Sequence, residues 1–270
     1  MRNNQRRSRA KAPAPSTKLS YEVPTEFVDL PSRGKFYTQE HPFHNKESVE
    51  IRFMTAKDED ILSSTSLIEQ GVAIERFLEN IIVGDIDVTS LLVGDQSAIM
   101  IAARSSGYGP FYETVVTCPN CQTESELMFD LSEKEITGRC FDDQYVKDNN
   151  IQITADGLIK ITLPVTKFEV HLRMLTSVEQ ADFSSDLMAN KDTIITSTLN
   201  TLIEKINGID DREQVEDVIS NLPAKDSRFV RVVYPKLVPN VSLAKEFTCG
   251  NCGTKSNMEV PLSAAFFWPK

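Results

Sequence analysis

The chain has 270 residues, 40% of them hydrophobic, enough to bury a sizeable core in one large domain or two small ones. No apolar run approaches the roughly 18 residues of a membrane span, and no apolar segment follows the basic N-terminus to make a secretory signal, so the expectation is a soluble protein folded in a cytoplasm. The net charge of −10 is uneven: residues 1–18 hold four Arg, two Lys and no acid, leaving −16 on the rest, and an acidic body argues against a broad nucleic-acid surface on the folded part.

Residues 1–22 read as a disordered basic tail, polar and with Pro and Ala near its end. Such a tail can touch nucleic acid or an acidic protein face; a solubilising, unpacked terminus is the plainer reading. The stretch VPTEFVDLPSRGKFYTQEHP (23–42) follows, an extended segment pinned by Pro24 and Pro31 with a turn at SRGK. Arg33 and Lys35 flank Gly34, and Phe36 and Tyr37 offer an aromatic anchor, so these four are the candidate partner-binding residues. The alternative is that the segment packs across the protein's own surface.

SVEIRFMT then alternates Val49, Ile51 and Phe53 on one face of a strand. Thr55 caps a helix whose first turn holds Asp58, Glu59 and Asp60. Leu67, Ile74, Leu78 and Ile81 form a helical apolar stripe. GDQSAIMIAARSSGYG reads as a buried helix stopped by Gly107 and Gly109. After it, one strand enters a Cys-x-x-Cys turn and another leaves. Residues 133–156 show weak periodicity and read as a connection in which Ile136, Cys140 and Tyr145 could pack. VHLRMLT and TSVEQADF then repeat the strand and the capped helix, with Thr176 as cap and Glu179 at the capping-box position. Leu199, Leu202, Ile203 and Ile206 form a second helical stripe.

The repetition is systematic. At a shift of 131, eight of the sixteen residues from 117 to 132 are identical to those from 248 to 263, where chance gives roughly one. The same shift pairs Leu91 with Leu222 and Asp95 with Asp226. Farther upstream a shift of 121 pairs Val49, Arg52 and Thr55 with Val170, Arg173 and Thr176, so the second copy holds ten extra residues. The expected fold is α+β, mainly helical, built from a duplicated strand–helices–knuckle unit: a first repeat at 23–137, a connection at 138–156 and a second repeat at 157–270.

Five cysteines are present, Cys118, Cys121, Cys140, Cys249 and Cys252. In a chain of this size without a signal, thiols stay reduced and paired ones point to metal. One Cys-x-x-Cys supplies two thiolates, whereas structural zinc takes four ligands in a tetrahedron. The economical reading is that Cys118 and Cys121 meet Cys249 and Cys252 around one structural Zn²⁺, in a shared four-cysteine, zinc-ribbon-like site. Between Cys121 and Cys249 lie 127 residues; closing that loop costs about 4 kcal/mol plus a constant, against about 10–16 kcal/mol for structural zinc. The four thiolates suit iron as well. A redox Cys-x-x-Cys wants a helix N-terminus to lower a thiol pKa, and the polar turn and strand after CGNCG argue against one. Cys140 reads as a plain thiol.

No phosphate loop and no nucleophile elbow is present. His41 and His44 lack acidic or cysteine partners nearby and read as loop residues, and His171 falls in a predicted strand and reads as facing outward. No pair of acids stands out as a general acid and base, and no enzyme activity is expected.

Three segments, LPSRGKFY within residues 23–42, VEIRFMTAKDEDIL and GYGPFYETVVTCPNC, together resemble the baseplate hub proteins of contractile-tailed phages of the T-even type. The likeness runs from about residue 23 onward. It implies a role in virion assembly without catalysis: a component of the central hub of the tail baseplate, or a factor that builds it, with other hub or tail proteins as partners. The location implied is the virion tail, or the host cytoplasm during assembly. The basic tail has no counterpart in that likeness. The competing reading is a nucleic-acid-binding zinc-ribbon protein; the tail speaks for it, and the acidic body and the lack of aromatics interleaved with Lys or Arg near the knuckles speak against it.

Overall fold

The computed structural model describes residues 21–137, 143–189, 191–260, 262 and 264–268. The basic tail expected over 1–22 lies outside them except for Tyr21 and Glu22, as does Cys140. Alternating apolar residues make the first pair of strands: β1 (Thr25–Asp29) and β2 (Ser48–Arg52) run antiparallel with Val28 opposite Val49, both buried. Thr55 then opens α1 (Ala56–Ser63), followed by α2 (Thr65–Glu69) and α3 (Ala73–Ile81). The single stripe expected from Leu67 to Ile81 is cut at Gly71, which takes φ +75° between the two helices, a conformation that costs a residue with a Cβ roughly 1–2 kcal/mol. Past a 3₁₀ turn at Val88–Ser90 comes α4 (Val93–Tyr108), the buried helix, ending on Gly109.

β3 (Phe111–Thr117) and β4 (Glu124–Asp130) form the first knuckle hairpin. β5 (Glu135–Thr137) and α5 (Asp143–Asp148) lead to the second half; the packing expected of the Ile136 and Tyr145 side chains falls outside what the structure describes. There β6 (Gln152–Ile153), β7 (Ile159–Thr162), β8 (Glu169–Leu172) and β9 (Ile203–Ile206) make an antiparallel sheet in that order. Between β8 and β9 lie α6 (Ser177–Ala189) and α7 (Ile194–Leu202); α8 (Arg212–Ser220) and α9 (Ala224–Leu237) follow. β10 (Asn240–Ser242) pairs with β5, β11 (Ala244–Thr248) and β12 (Lys255–Glu259) make the second knuckle, and a 3₁₀ turn at Ala264–Phe267 is the last described element.

The fold is α+β, but the expectation that it is mainly helical is wrong: helices take 41% and strands 24%. Ile203 and Ile206, read as the end of a helical stripe, form β9 opposite Leu172 and Val170. Their three-residue spacing suits a helix face, yet β-branched side chains pack better in a strand, and an irregularity between His171 and Leu172 absorbs the odd step. β5 and β6 arise in residues read as weakly structured connection.

The elements recur at the two sequence shifts. α1 and α3 return as α6 and α7 at 121; α4, β3 and β4 return as α9, β11 and β12 at 131. The ten extra residues therefore fall between β9 and α9, where the second half carries α8. A third shift of 133, not read from the sequence, relates β1 to β7 and Leu30-Pro31 to Leu163-Pro164. Register follows: Val28 opposite Val49 becomes Ile161 opposite Val170.

The halves interlock. Phe266 and Phe267, from the end of the second half, are fully buried against Tyr112 and Phe77 of the first, while β5 crosses to pair with β10. One apolar cluster runs from Val28 to Phe267, and a second, smaller one gathers around the knuckle cysteines. At the seam Gly94 lies so close to the Pro239 carbonyl that a Cβ would sit 2.0 Å from its oxygen.

Candidate metal centre

Each knuckle is built the same way. In the first, Cys118 N–H donates to the Thr123 carbonyl and Gln122 N–H to the Cys118 carbonyl, at 2.9 and 3.0 Å; in the second, Cys249 N–H donates to Thr254 and Gly253 N–H to Cys249, both at 2.9 Å. The turn needs a left-handed residue at its fifth position, filled by Gln122 (φ +58°) and Gly253 (φ +69°). This tight loop turns both sulfurs of each pair to one side.

The two loops face each other. Cys118 Sγ lies 3.7 Å from Cys252 Sγ, and Cys121 Sγ 3.6 Å from Cys249 Sγ. All four sulfurs lie within 4.8 Å of one another, too far for a disulfide. Four sulfurs at about 2.3 Å from a central Zn²⁺ would stand about 3.8 Å apart, so the set fits a tetrahedral ion. Among the described residues, these four are the group of three or more His, Cys, Asp or Glu side chains close enough to share an ion. Val116 and Phe247 flank the cluster and are buried with Cys118 and Cys249, while Cys252 is exposed.

The surroundings favour thiolate at Cys252 and Cys121. The Thr254 hydroxyl and backbone N–H, helped by Asn120, pull Cys252 down to about 5. Thr123 does the same for Cys121, with its hydroxyl first and its N–H second, and lowers that thiol. Cys249 is drawn down by the Cys252 and Asn251 N–H groups but pushed up by burial and by the Cys121 and Cys252 thiols, and ends at about 11. Four close sulfurs do not all ionise by themselves; a cation between them removes that conflict. Support crosses the seam, since Asn251 Nδ2 donates to Thr123 Oγ1 at 3.1 Å and lies 3.7 Å from Cys121 Sγ.

The candidate partner-binding residues stand elsewhere. Phe36 and Tyr37 are 8% and 4% exposed, so the aromatic pair is part of the core and not an exposed anchor. Tyr37 donates to Asp95 at 2.8 Å and stacks on His41 with ring centroids 4.1 Å apart. Arg33 is half-buried and Lys35 exposed. His41 and His44 are loop residues bonded to Ser90 and to the Tyr37 carbonyl; His171 is half-buried beside Glu169, not turned fully outward.

Sequence reasoning missed two constellations. Asp58 is fully buried and takes two bonds from Arg52, at 2.6 and 2.8 Å, besides capping Thr55 N–H. Asp95 is fully buried and holds Ser32 through its N–H and hydroxyl. The Asp95/Asp226 and Arg52/Arg173 identities were the available signals.

A family model described as T4 bacteriophage base plate protein matches residues 24–268. The chain belongs to that family. As a baseplate family member it has its place in the phage tail, with other tail proteins as neighbours. No curated protein and no solved structure matched it. The family match spans both knuckles and the core between them, so the duplicated pair is part of the family unit. Among the described residues of this baseplate protein no helix is long and apolar enough to cross a membrane.

Proposed function

We propose that the protein is a structural or assembly component of the central hub of the tail baseplate, held by one structural Zn²⁺ shared between its knuckles, and that it performs no catalysis. The observation that carries the metal reading is the meeting of four sulfurs, two from each half, at the edge lengths of a tetrahedron. Cys118, Cys121, Cys249 and Cys252 would hold the ion. Bound there, it would supply charge neutralisation and a rigid cross-link, with no open coordination position for chemistry. The join at the seam would then hold the outer faces in fixed relation, as a scaffold for neighbouring hub proteins requires. Arg33 and Lys35 are the proposed charged contacts to such a neighbour, and assembly would take place in the host cytoplasm before the protein takes its place in the virion.

Elemental analysis of the purified chain tests the metal: one zinc per chain supports the shared site, iron with its visible absorption replaces zinc in the reading, and five titratable thiols without metal reject it. Cross-linking of isolated baseplates tests the hub: links to central hub proteins support that place, and links only to peripheral proteins overturn it.

A further inference from the structure

The internal repeat marks an edge that one half covers and the other leaves open. In the second half β7 is flanked on its outer side by β6, with Gln152 opposite Lys160 and Ile153 opposite Ile159, and Thr154 N–H donates to the Leu158 carbonyl at 2.8 Å. In the first half the equivalent strand, β1, pairs with β2 alone among the described residues. Leu30 N–H donates to the Glu47 carbonyl and Phe53 N–H to the Pro24 carbonyl, at 2.8 and 2.9 Å. The even-numbered positions therefore bond inward, and Thr25 and Phe27 turn their backbone groups outward. At the shift of 133 these are the positions of Leu158 and Lys160, the two that meet β6.

Two further observations point to an occupant. A groove of about 420 Å³ runs along β1, lined by Glu26 to Asp29, by Ala102 and Ser105 of α4, and by Ser132 and Lys134; Lys134 is not a hydrogen-bond partner of the inaccessible Glu26 oxygen. Glu26 stands where the second half has Ile159, which is fully buried; one Glu26 carboxylate oxygen is inaccessible and has no hydrogen-bond partner. Beside it Phe27 is 72% exposed. An open edge with a large exposed aromatic side chain is a template for strand addition, and the orphaned carboxylate oxygen calls for a cationic donor.

We propose that the outer edge of β1 accepts an extended strand from a neighbouring baseplate chain, antiparallel as β6 is, with Lys or Arg opposite Glu26. The class of the partner rests on the baseplate reading; the edge itself does not. A hairpin of the β6–β7 length made by the chain itself would bring Ser20 opposite Glu26 and supply no cation.

The test uses the full chain and a synthetic peptide of residues 149–155 carrying Ile153→Lys, titrated to millimolar concentration and followed by amide NMR. The expected result is a saturable shift centred on the Thr25 and Phe27 amides. Phe27→Pro removes an outward N–H and spares the β1–β2 bonds, so it abolishes binding while the rest of the spectrum stays folded. Glu26→Gln weakens binding about tenfold, as loss of a charge-assisted bond does. No shift at these amides, or equal binding by the parent and both variants, overturns the proposal. So does protection of the two amides in the free full chain that disappears when residues 1–20 are deleted, since the chain would then cover its own edge. The baseplate reading fails separately: if peptide binds but cross-links from Phe27 in assembled particles reach no baseplate chain, the edge stands and the partner class falls.

Discussion

Asp95 and Asp226 sit at the third position of α4 and α9, both fully buried, and each carboxylate catches the loop that follows a Leu-Pro pair. Asp95 accepts from Ser32 N–H at 2.9 Å, and Asp226 from Val165 and Thr166 N–H at 2.7 and 2.9 Å. Their titration diverges. Burial drives Asp95 above the ordinary carboxylate range despite bonds from Ser32 and Tyr37. Burial also lifts Asp226, but the Thr166 and Val165 N–H groups outweigh it and hold it below that range.

The sign of each effect on stability follows. Asp226, depressed on folding, stabilises above the unfolded value of about 3.9, and that contribution is lost as pH falls through the folded value. Asp95, raised on folding, contributes most below about 3.9 and loses that contribution as pH rises through its folded value. Asp226→Asn is therefore expected to cost more than Asp95→Asn at pH 7, about 1–3 kcal/mol for the former, and the gap narrows toward pH 3. Urea unfolding of both variants at the two pH values measures this; an unchanged gap contradicts it.

The Asp pair shows what the sequence could and could not reveal. The cysteine phrase was legible because both copies build the same turn around the same two thiols, leaving identities at one fixed shift. The capped strand–helix junctions at Thr55 and Thr176 were legible because capping uses few residue types. β1 and β7 were not: they share an alternation and a Leu-Pro exit, but Glu26, Phe27 and Val28 face Ile159, Lys160 and Ile161. Apolar period alone misassigned Ile203 and Ile206, since only long-range pairing to β8 decides their state. Phe36 and Tyr37 resembled an exposed anchor because nothing local announces Asp95, 58 residues beyond Tyr37, as the acceptor that draws the ring inward.

Arg52 and Asp58 recur as Arg173 and Glu179, but in a different medium. Asp58 is 0% exposed and Arg52 21%, whereas Arg173 and Glu179 are 34% and 37% exposed. Removing Arg52 leaves a buried carboxylate without its cation; removing Arg173 leaves one that water can reach. Arg52→Ala is expected to cost about 3 kcal/mol, and Arg173→Ala less than about 1 kcal/mol. Thermal unfolding reads the difference, with a drop of roughly 6–12 °C for the first. Equal losses would mean that burial of the Asp58 carboxylate does not set the cost.

Gly94 tests the seam. It is the second residue of α4, and a methyl group added there meets the Pro239 carbonyl oxygen at 2.0 Å and the Asn240 Cα at 2.9 Å. Neither neighbour is a flexible side chain, so the helix or the entry to β10 must move. Gly94→Ala, a change that favours a helix intrinsically, should here destabilise by about 1–3 kcal/mol. Lys225 occupies the equivalent position of α9 and is exposed, so Lys225→Ala serves as the neutral control. A Gly94→Ala protein as stable as the parent would show that the two halves do not approach as described.

The knuckles give the sharpest expectation, because their cysteines differ in exposure while the proposed shared site gives them one role. Cys118 is buried and Cys252 exposed. If the two sites were independent packed pairs, Cys118→Ser would destabilise through lost packing and Cys252→Ser would do almost nothing. A shared ion predicts otherwise: each serine variant removes one of four thiolates, and metal content falls from one ion per chain in both. Stability follows the metal, so both variants unfold several degrees lower, and a chelator brings the parent chain down to their level. A Cys252→Ser chain that keeps its ion and its Tm would leave the exposed thiol outside the site and the duplication without its cross-link.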